Sequence, residues 1–170
     1  YVVKAPNGTE YQSLQAATND VHVFDNDPSS NQVFNVIYTA QLQTVNVMSD
    51  SSDPKGAQMI ETAHGPSNSN VSLNANDSNL KRSGYIYQVT GPDRKVYDSL
   101  ADALKNNPTY DDNAIPTDTG IDPIPQNFTV TYKPVKQTAN LIVDGKTLDT
   151  VTGDSDSKLT FNKTDNDLYR

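Results

Sequence analysis

Two acidic clusters hold the residues best suited to chemistry in this 170-residue chain: Asp25-Asn26-Asp27 and Asp111-Asp112-Asn113. A hard cation such as Ca²⁺ binds several oxygens from Asp, Asn and backbone, so Asp25, Asp27, Asp111 and Asp112 are candidate metal ligands. The same residue types also close turns, because their side chains bond nearby backbone. No distal Glu completes an EF-hand spacing. The expectation is no resident cofactor, with Ca²⁺ as the only candidate. The two histidines, His22 and His64, align with Pro108 and Thr152 in the self-comparison below, so neither belongs to a repeated site. There is no cysteine and no HExxH, GxSxG or P-loop spacing, so zinc and nucleophilic catalysis have little material. A binding or structural role is expected, and an enzyme is not.

Nine tyrosines and no tryptophan make up most of the aromatic content. Exposed tyrosines could stack on sugar rings. Tyr11, Tyr38, Tyr97 and Tyr132 recur at matched positions in strand-like segments and are expected in the core. Tyr169 has Lys81 as its counterpart and is the candidate ligand-binding tyrosine. A net charge of −8 opposes phosphate backbones and anionic lipid, so neither nucleic acid nor a membrane surface is an expected partner. No apolar run approaches the roughly 18 residues of a membrane span. No signal peptide is visible, so any targeting segment is expected outside this sequence. A Lys–Asn isopeptide crosslink would need a buried Lys beside an Asn and an acid.

These residues sit on a repeated framework. At an offset of 86 residues, Val3 meets Val89, Pro6 meets Pro92, Tyr11 meets Tyr97, Ser13 meets Ser99, Leu14 meets Leu100 and Ala17 meets Ala103. At 94, Phe34 meets Phe128, Val36 meets Val130, Tyr38 meets Tyr132 and Asn46 meets Asn140. At 88, Thr62 meets Thr150, Gly65 meets Gly153, Ser69 meets Ser157 and Leu80 meets Leu168. The offset changes within residues 114–125 and 49–58. Both are rich in turn-forming residues and read as loops, where length varies at small entropic cost.

Alternating apolar and polar residues predict strands at residues 34–38 and 128–132, with further strands around 45–47 and 139–141, 59–63 and 148–152, and 71–73 and 159–161. Residues 1–4 and 85–90 read as strands that turn at Pro6 and Pro92 and return to Tyr11 and Tyr97. Ser99 is a natural N-cap, followed by Leu100, Ala103 and Leu104 on one helical face; Ser13 opens a weaker counterpart. Short turns are expected to start at Asp77 and Asp165. Several strands with one short amphipathic helix per period predict a strand-rich α+β fold, for which a β-grasp, ubiquitin-like arrangement is the simplest fit.

Gln137-Thr138-Ala139-Asn140-Leu141-Ile142-Val143-Asp144-Gly145, followed by Leu148-Asp149-Thr150-Val151-Thr152-Gly153, resembles the opening of MucBP and Mub repeats. Phe24-Asp25-Asn26-Asp27 and Gln32-Val33-Phe34-Asn35-Val36-Ile37-Tyr38 resemble their closing segment. The resemblance implies tandem β-grasp domains in an elongated rod on the surface of Gram-positive, lactobacillus-like bacteria. It implies host mucin or another glycoprotein as partner and, for some members, immunoglobulin. Extracellular location with wall anchoring through regions outside this sequence follows from the same likeness, and so does the competing role of a non-binding stalk. The repeat gives domains at 1–84 and 85–170. The family's phasing gives instead one complete repeat at 43–136 flanked by half-repeats, which would lack apolar cover and be expected to stay disordered. Pairing of residues 34–38 within 1–84 is the mark of the first division, and pairing with 137–170 that of the second.

Overall fold

The computed structural model describes residues 1–112 and 124–168. The elements in order are β1 (Val2–Lys4), β2 (Glu10–Tyr11), α1 (Leu14–Asp20), β3 (Asn35–Ile37), β4 (Leu42–Ser49), β5 (Gln58–Pro66), α2 (Asp77–Leu80), β6 (Tyr85–Thr90), β7 (Val96–Tyr97), α3 (Leu100–Asn106), β8 (Gln126–Pro134), β9 (Lys136–Val143) and β10 (Lys146–Asp154). A 3₁₀ turn follows at Asp165–Asp167. The chain is strand-rich α+β.

Strand alternation sets the main core. On β8, Phe128, Val130 and Tyr132 point inward and are buried, as period-2 geometry requires. β8 lies in a five-stranded sheet of order β5-β4-β8-β6-β7. It runs parallel to β4, with Val47 opposite Phe128, and antiparallel to β6, with Val89 opposite Val130. Ser99 caps α3 by accepting the Asp102 N–H at 3.0 Å. The helix then buries Leu100 and Ala103 against Val45, Val47, Leu80 and Tyr110 in one cluster. Asp77 ties three elements together: its carboxylate accepts the Leu100 N–H at 2.6 Å and the Tyr87 hydroxyl at 2.9 Å.

Residues 71–73 and 159–161 are not strands. Val71 and Leu73 pack on the core, but side-chain bonds replace the expected ladder. Glu61 accepts the backbone N–H groups of Asn74 and Ala75 at 3.0 and 2.6 Å. In the second period Asp149 takes the same place and accepts the Asn162 N–H at 2.7 Å.

Two smaller sheets flank the five-stranded one in sequence. Residues 1–41 form a β2-β1-β3 sheet with α1, and β9 and β10 form a hairpin. The hairpin turns on Asp144 and Gly145, whose φ values of 48° and 74° are those a two-residue type I′ turn demands. Each small sheet repeats half of the central one in register. Val3 pairs with Tyr11 and Val36 as Val89 pairs with Tyr97 and Val130. Gln137 pairs with Gly153 and Asn140 with Thr150, as Gln43 pairs with Gly65 and Asn46 with Thr62; the irregularity at Ile60 recurs at Leu148.

The division at residue 84 is corrected by the central sheet. β3 does pair with β1, inside 1–84, but a half-repeat at 1–41 contains that pairing too. The strands that decide are β4 and β5, which join β6, β7 and β8 across residue 84. The chain divides instead into compact units Tyr1–Gln41 and Leu42–Arg170, and the sheet spans residues 42–134. The cause is burial: Val45 and Val47 of β4 pack with Val89, Leu100, Phe128 and Val130 in one core drawn from both sides of residue 84. The flanking halves form strand ladders of their own, and these with Asn, Ser and Asp caps satisfy backbone groups locally.

Candidate functional site

The acidic cluster at Asp25 and Asp27 is a pair of turns. Asp25 accepts the Asp27 N–H at 3.1 Å, and Asp27 accepts the Ser29 N–H at 2.9 Å and the Ser29 hydroxyl at 2.5 Å. Those Ser29 bonds hold the Asp27 carboxyl below its ordinary pKa. Asp111 lies beside the first residue of the central strand β8, where its N–H donates to Gln126 Oε1 at 2.8 Å. Among the described residues, no three His, Cys, Asp or Glu side chains gather as a metal-binding group. The carboxylates of Asp25 and Asp27 are thus used by their own backbone. Tyr169 lies outside the described residues.

Tyr38 and Tyr132 differ between the periods, whereas Tyr11 and Tyr97 agree. Tyr132 is buried and donates its hydroxyl to Leu80 O at 2.6 Å. Tyr97 and Tyr11 are half-buried, and each bonds a nearby carboxylate, Asp93 and Asp20 respectively. Tyr38, expected in the core, is 80% exposed. Among the described residues, the half-sheet carrying it pairs with no hairpin of the β4–β5 kind. Its ring sits 5.9 Å from that of Tyr1 at 53°, the geometry of the Tyr87–Tyr132 pair at 6.1 Å and 52°. The Tyr1–Tyr38 pair therefore repeats a core contact, left open to solvent.

One buried polar cluster was not legible as such. Asp53 stands in the loop between β4 and β5 and is buried together with most of Arg82; the two meet at 2.9 Å. Burial pushes the Asp53 pKa up. Bonds from Arg82, the Lys55 N–H, Ser49 and Gln58 outweigh it and hold the carboxyl well below the usual range. The Arg82 guanidinium lies 5.2 Å from the centre of the Tyr132 ring, a cation–π distance. The same loop reaches β8 directly: Ser52 Oγ accepts the Tyr132 N–H at 2.7 Å, and Thr131 donates to Asp50 at 2.6 Å. The loop's only sequence signal was its extra length relative to the second period, where a two-residue turn stands instead. The cluster locks loop, helix end and sheet together.

All ten lysines are exposed, so the buried lysine that an isopeptide crosslink needs is lacking. No helix among the described residues is long and apolar enough to cross a membrane.

At the end of β8 the chain passes to β9 through Val135 alone. Val135 donates its N–H to Gly84 O at 2.8 Å and accepts the Ser155 N–H at 3.0 Å. The Tyr85 hydroxyl donates to Asp156 at 3.0 Å. Gly84 has φ of 80°, and a Cβ there would stand 2.7 Å from Ser155 Oγ, so the joint demands glycine on both counts. The hairpin is thereby fixed to the end of the sheet. No protein-family model matches this chain, and no curated protein or solved structure matches it either.

Proposed function

We propose that this chain is a stretch of a cell-surface adhesin, built of tandem β-grasp repeats, that binds host mucus glycoprotein. Immunoglobulin is a second partner within the same reading. The role is one of binding rather than catalysis, and it calls for no cofactor. The protein would be extracellular and held to the cell wall by regions outside this sequence. The observation that carries the reading is the register-for-register recurrence of both half-domains, in the segments whose residues resemble MucBP and Mub repeats. A central parallel strand pair flanked by antiparallel neighbours, with a helix on the sheet, also suits a β-grasp. Repetition suits adhesion because several weak contacts on one chain raise avidity without any new contact. The test is saturable binding of the whole chain to immobilised mucin. Absence of binding, with the chain folded, would overturn this reading.

The joint at Val135 favours a second reading, a structural stalk that spaces a distal binding domain from the wall. A one-residue link bonded on both sides transmits orientation from one repeat to the next. A stalk predicts no mucin binding and a fixed angle between the five-stranded sheet and the β9–β10 hairpin, measurable by residual dipolar couplings.

A further inference from the structure

Tension applied along this chain enters the central sheet at Leu42, where β4 begins, and leaves it at Pro134, where β8 ends. These are the first and last strands of the sheet in sequence, yet they are neighbours in it and run parallel. Five register pairs join them, from Val45 opposite Gln126 to Ser49 opposite Val130. In a parallel pair the start of one strand lies beside the start of the other. Leu42 and Pro134 therefore stand at opposite ends of the strand pair. Pulling on both makes β4 and β8 slide along each other, and every bond between them resists at once.

The ladder is both shielded and extended. β5 and β6 cover its two outer edges, which keeps water from competing for its bonds from the sides. On one face Val47 and Phe128 are fully buried. On the other, Asn46 Nδ2 donates to Asn127 Oδ1 at 3.1 Å, and Asn46 Oδ1 accepts the Thr62 hydroxyl at 2.9 Å. Beyond Ser49 the following loop keeps hold of β8. The Asp50 N–H donates to Val130 O at 3.1 Å, and the bonds of Asp50 to Thr131 and of Ser52 to Tyr132 carry the grip two residues further. The Asp53–Arg82 pair anchors that loop in turn. The flanking strand pairs are loaded differently. β1 and β3 are antiparallel with Val2 opposite Ile37, and β9 and β10 are antiparallel with Lys136 opposite Asp154. Tension enters and leaves each of these at the same end, so it peels them one pair at a time.

We propose that the β4–β8 pair is a mechanical clamp, which lets the folded sheet carry tension along the chain. Its use rests on the surface-protein reading above: a chain held to a wall on one side and to a partner or distal domain on the other is pulled along its length. Forced unfolding is governed by the unfolding rate rather than by equilibrium stability. Peeling breaks one pair per step. Sliding must break the five pairs together, so bonds that are individually modest add into one barrier. The β9–β10 hairpin and residues 1–41 yield first, while the clamp holds.

The test is single-molecule force spectroscopy on the full chain, held by tags at its two ends. Unfolding of residues 42–134 should be the highest-force step, with a gain in length of about 300 Å, set by the extended span of those residues. The chain has no cysteine of its own, so introduced thiols can move the points of pulling. Leu42→Cys with Ile124→Cys, both at exposed positions, puts the handles at the starting ends of β4 and β8. That geometry peels the same strand pair, and the rupture force should fall several-fold. In the end-to-end geometry Asn127→Ala should lower the force, because it removes a bond across the clamp. Ser99→Ala uncaps α3 away from the clamp and should leave the force unchanged, although both variants lose stability in urea. Unfolding of residues 42–134 at no higher force than the hairpin, equal rupture forces in the two pulling geometries, or a force that follows urea stability in both variants would each overturn the proposal. No mucin is present, so failure here and failure of mucin binding are separate results.

Discussion

Asp53 and Arg82 form a buried ion pair whose loss leaves one charge without its partner. Breaking such a pair costs about 3–5 kcal/mol, so Arg82→Ala should lower unfolding stability by about that amount in urea titrations near neutral pH. Asp53 also sets an acid limit. Its folded pKa is depressed, so its contribution is complete above the unfolded-chain value of about 3.9 and fades as pH falls toward the folded value. Asp53→Asn should flatten the fall in stability below about pH 4. Tyr87 acts in the opposite direction. Burial first, and its bond to Asp77 second, push its pKa up to about 12. Its contribution is therefore complete below about pH 10 and is lost as pH rises through about 12; Tyr87→Phe should remove that alkaline loss. The turn chemistry of Asp25 and Asp27 was legible in their types and spacing, whereas the role of Asp53 was not. An Asp in a Pro-Gly loop looks like any turn residue until the distant Arg82 and Tyr132 are folded onto it.

At the scale of elements, the helices and most strands could be read from caps and alternation, because those signals are local. Ser99 is an example: its bond to the Asp102 N–H fixes the start of α3. Ser99→Ala should cost about 1 kcal/mol, within the usual range for a lost N-cap, measured by thermal or urea unfolding. The partner of each strand was less accessible. The repeat relates β4 to β9 and β8 to β3 equally well, so alignment alone leaves open which hairpin closes on which helix-bearing half. Tertiary burial decides, and Gly65 records the decision. Gly65→Ala would force its Cβ into the Tyr110 ring and should destabilise the central sheet by about 1–3 kcal/mol, as overpacking does.

At the scale of the whole molecule, the net charge of −8 means that attraction to sialylated or sulfated glycans cannot come from bulk electrostatics. Mucin binding should therefore weaken little between low and physiological ionic strength. Loss of most of the affinity at moderate salt would point to a local basic patch. The mucin reading and the stalk reading both depend on one structural claim: the five-stranded sheet, whose strands lie within residues 42–134, is one folding unit. Amide hydrogen exchange on the full chain tests that claim most directly. Amides of β4 and β8 should share the highest protection and lose it together in Gly65→Ala, while those of β3 and β9 exchange faster. Loss of protection in β4 together with β1 and β3, while β6 and β8 stay protected, would contradict it and restore a boundary near residue 84.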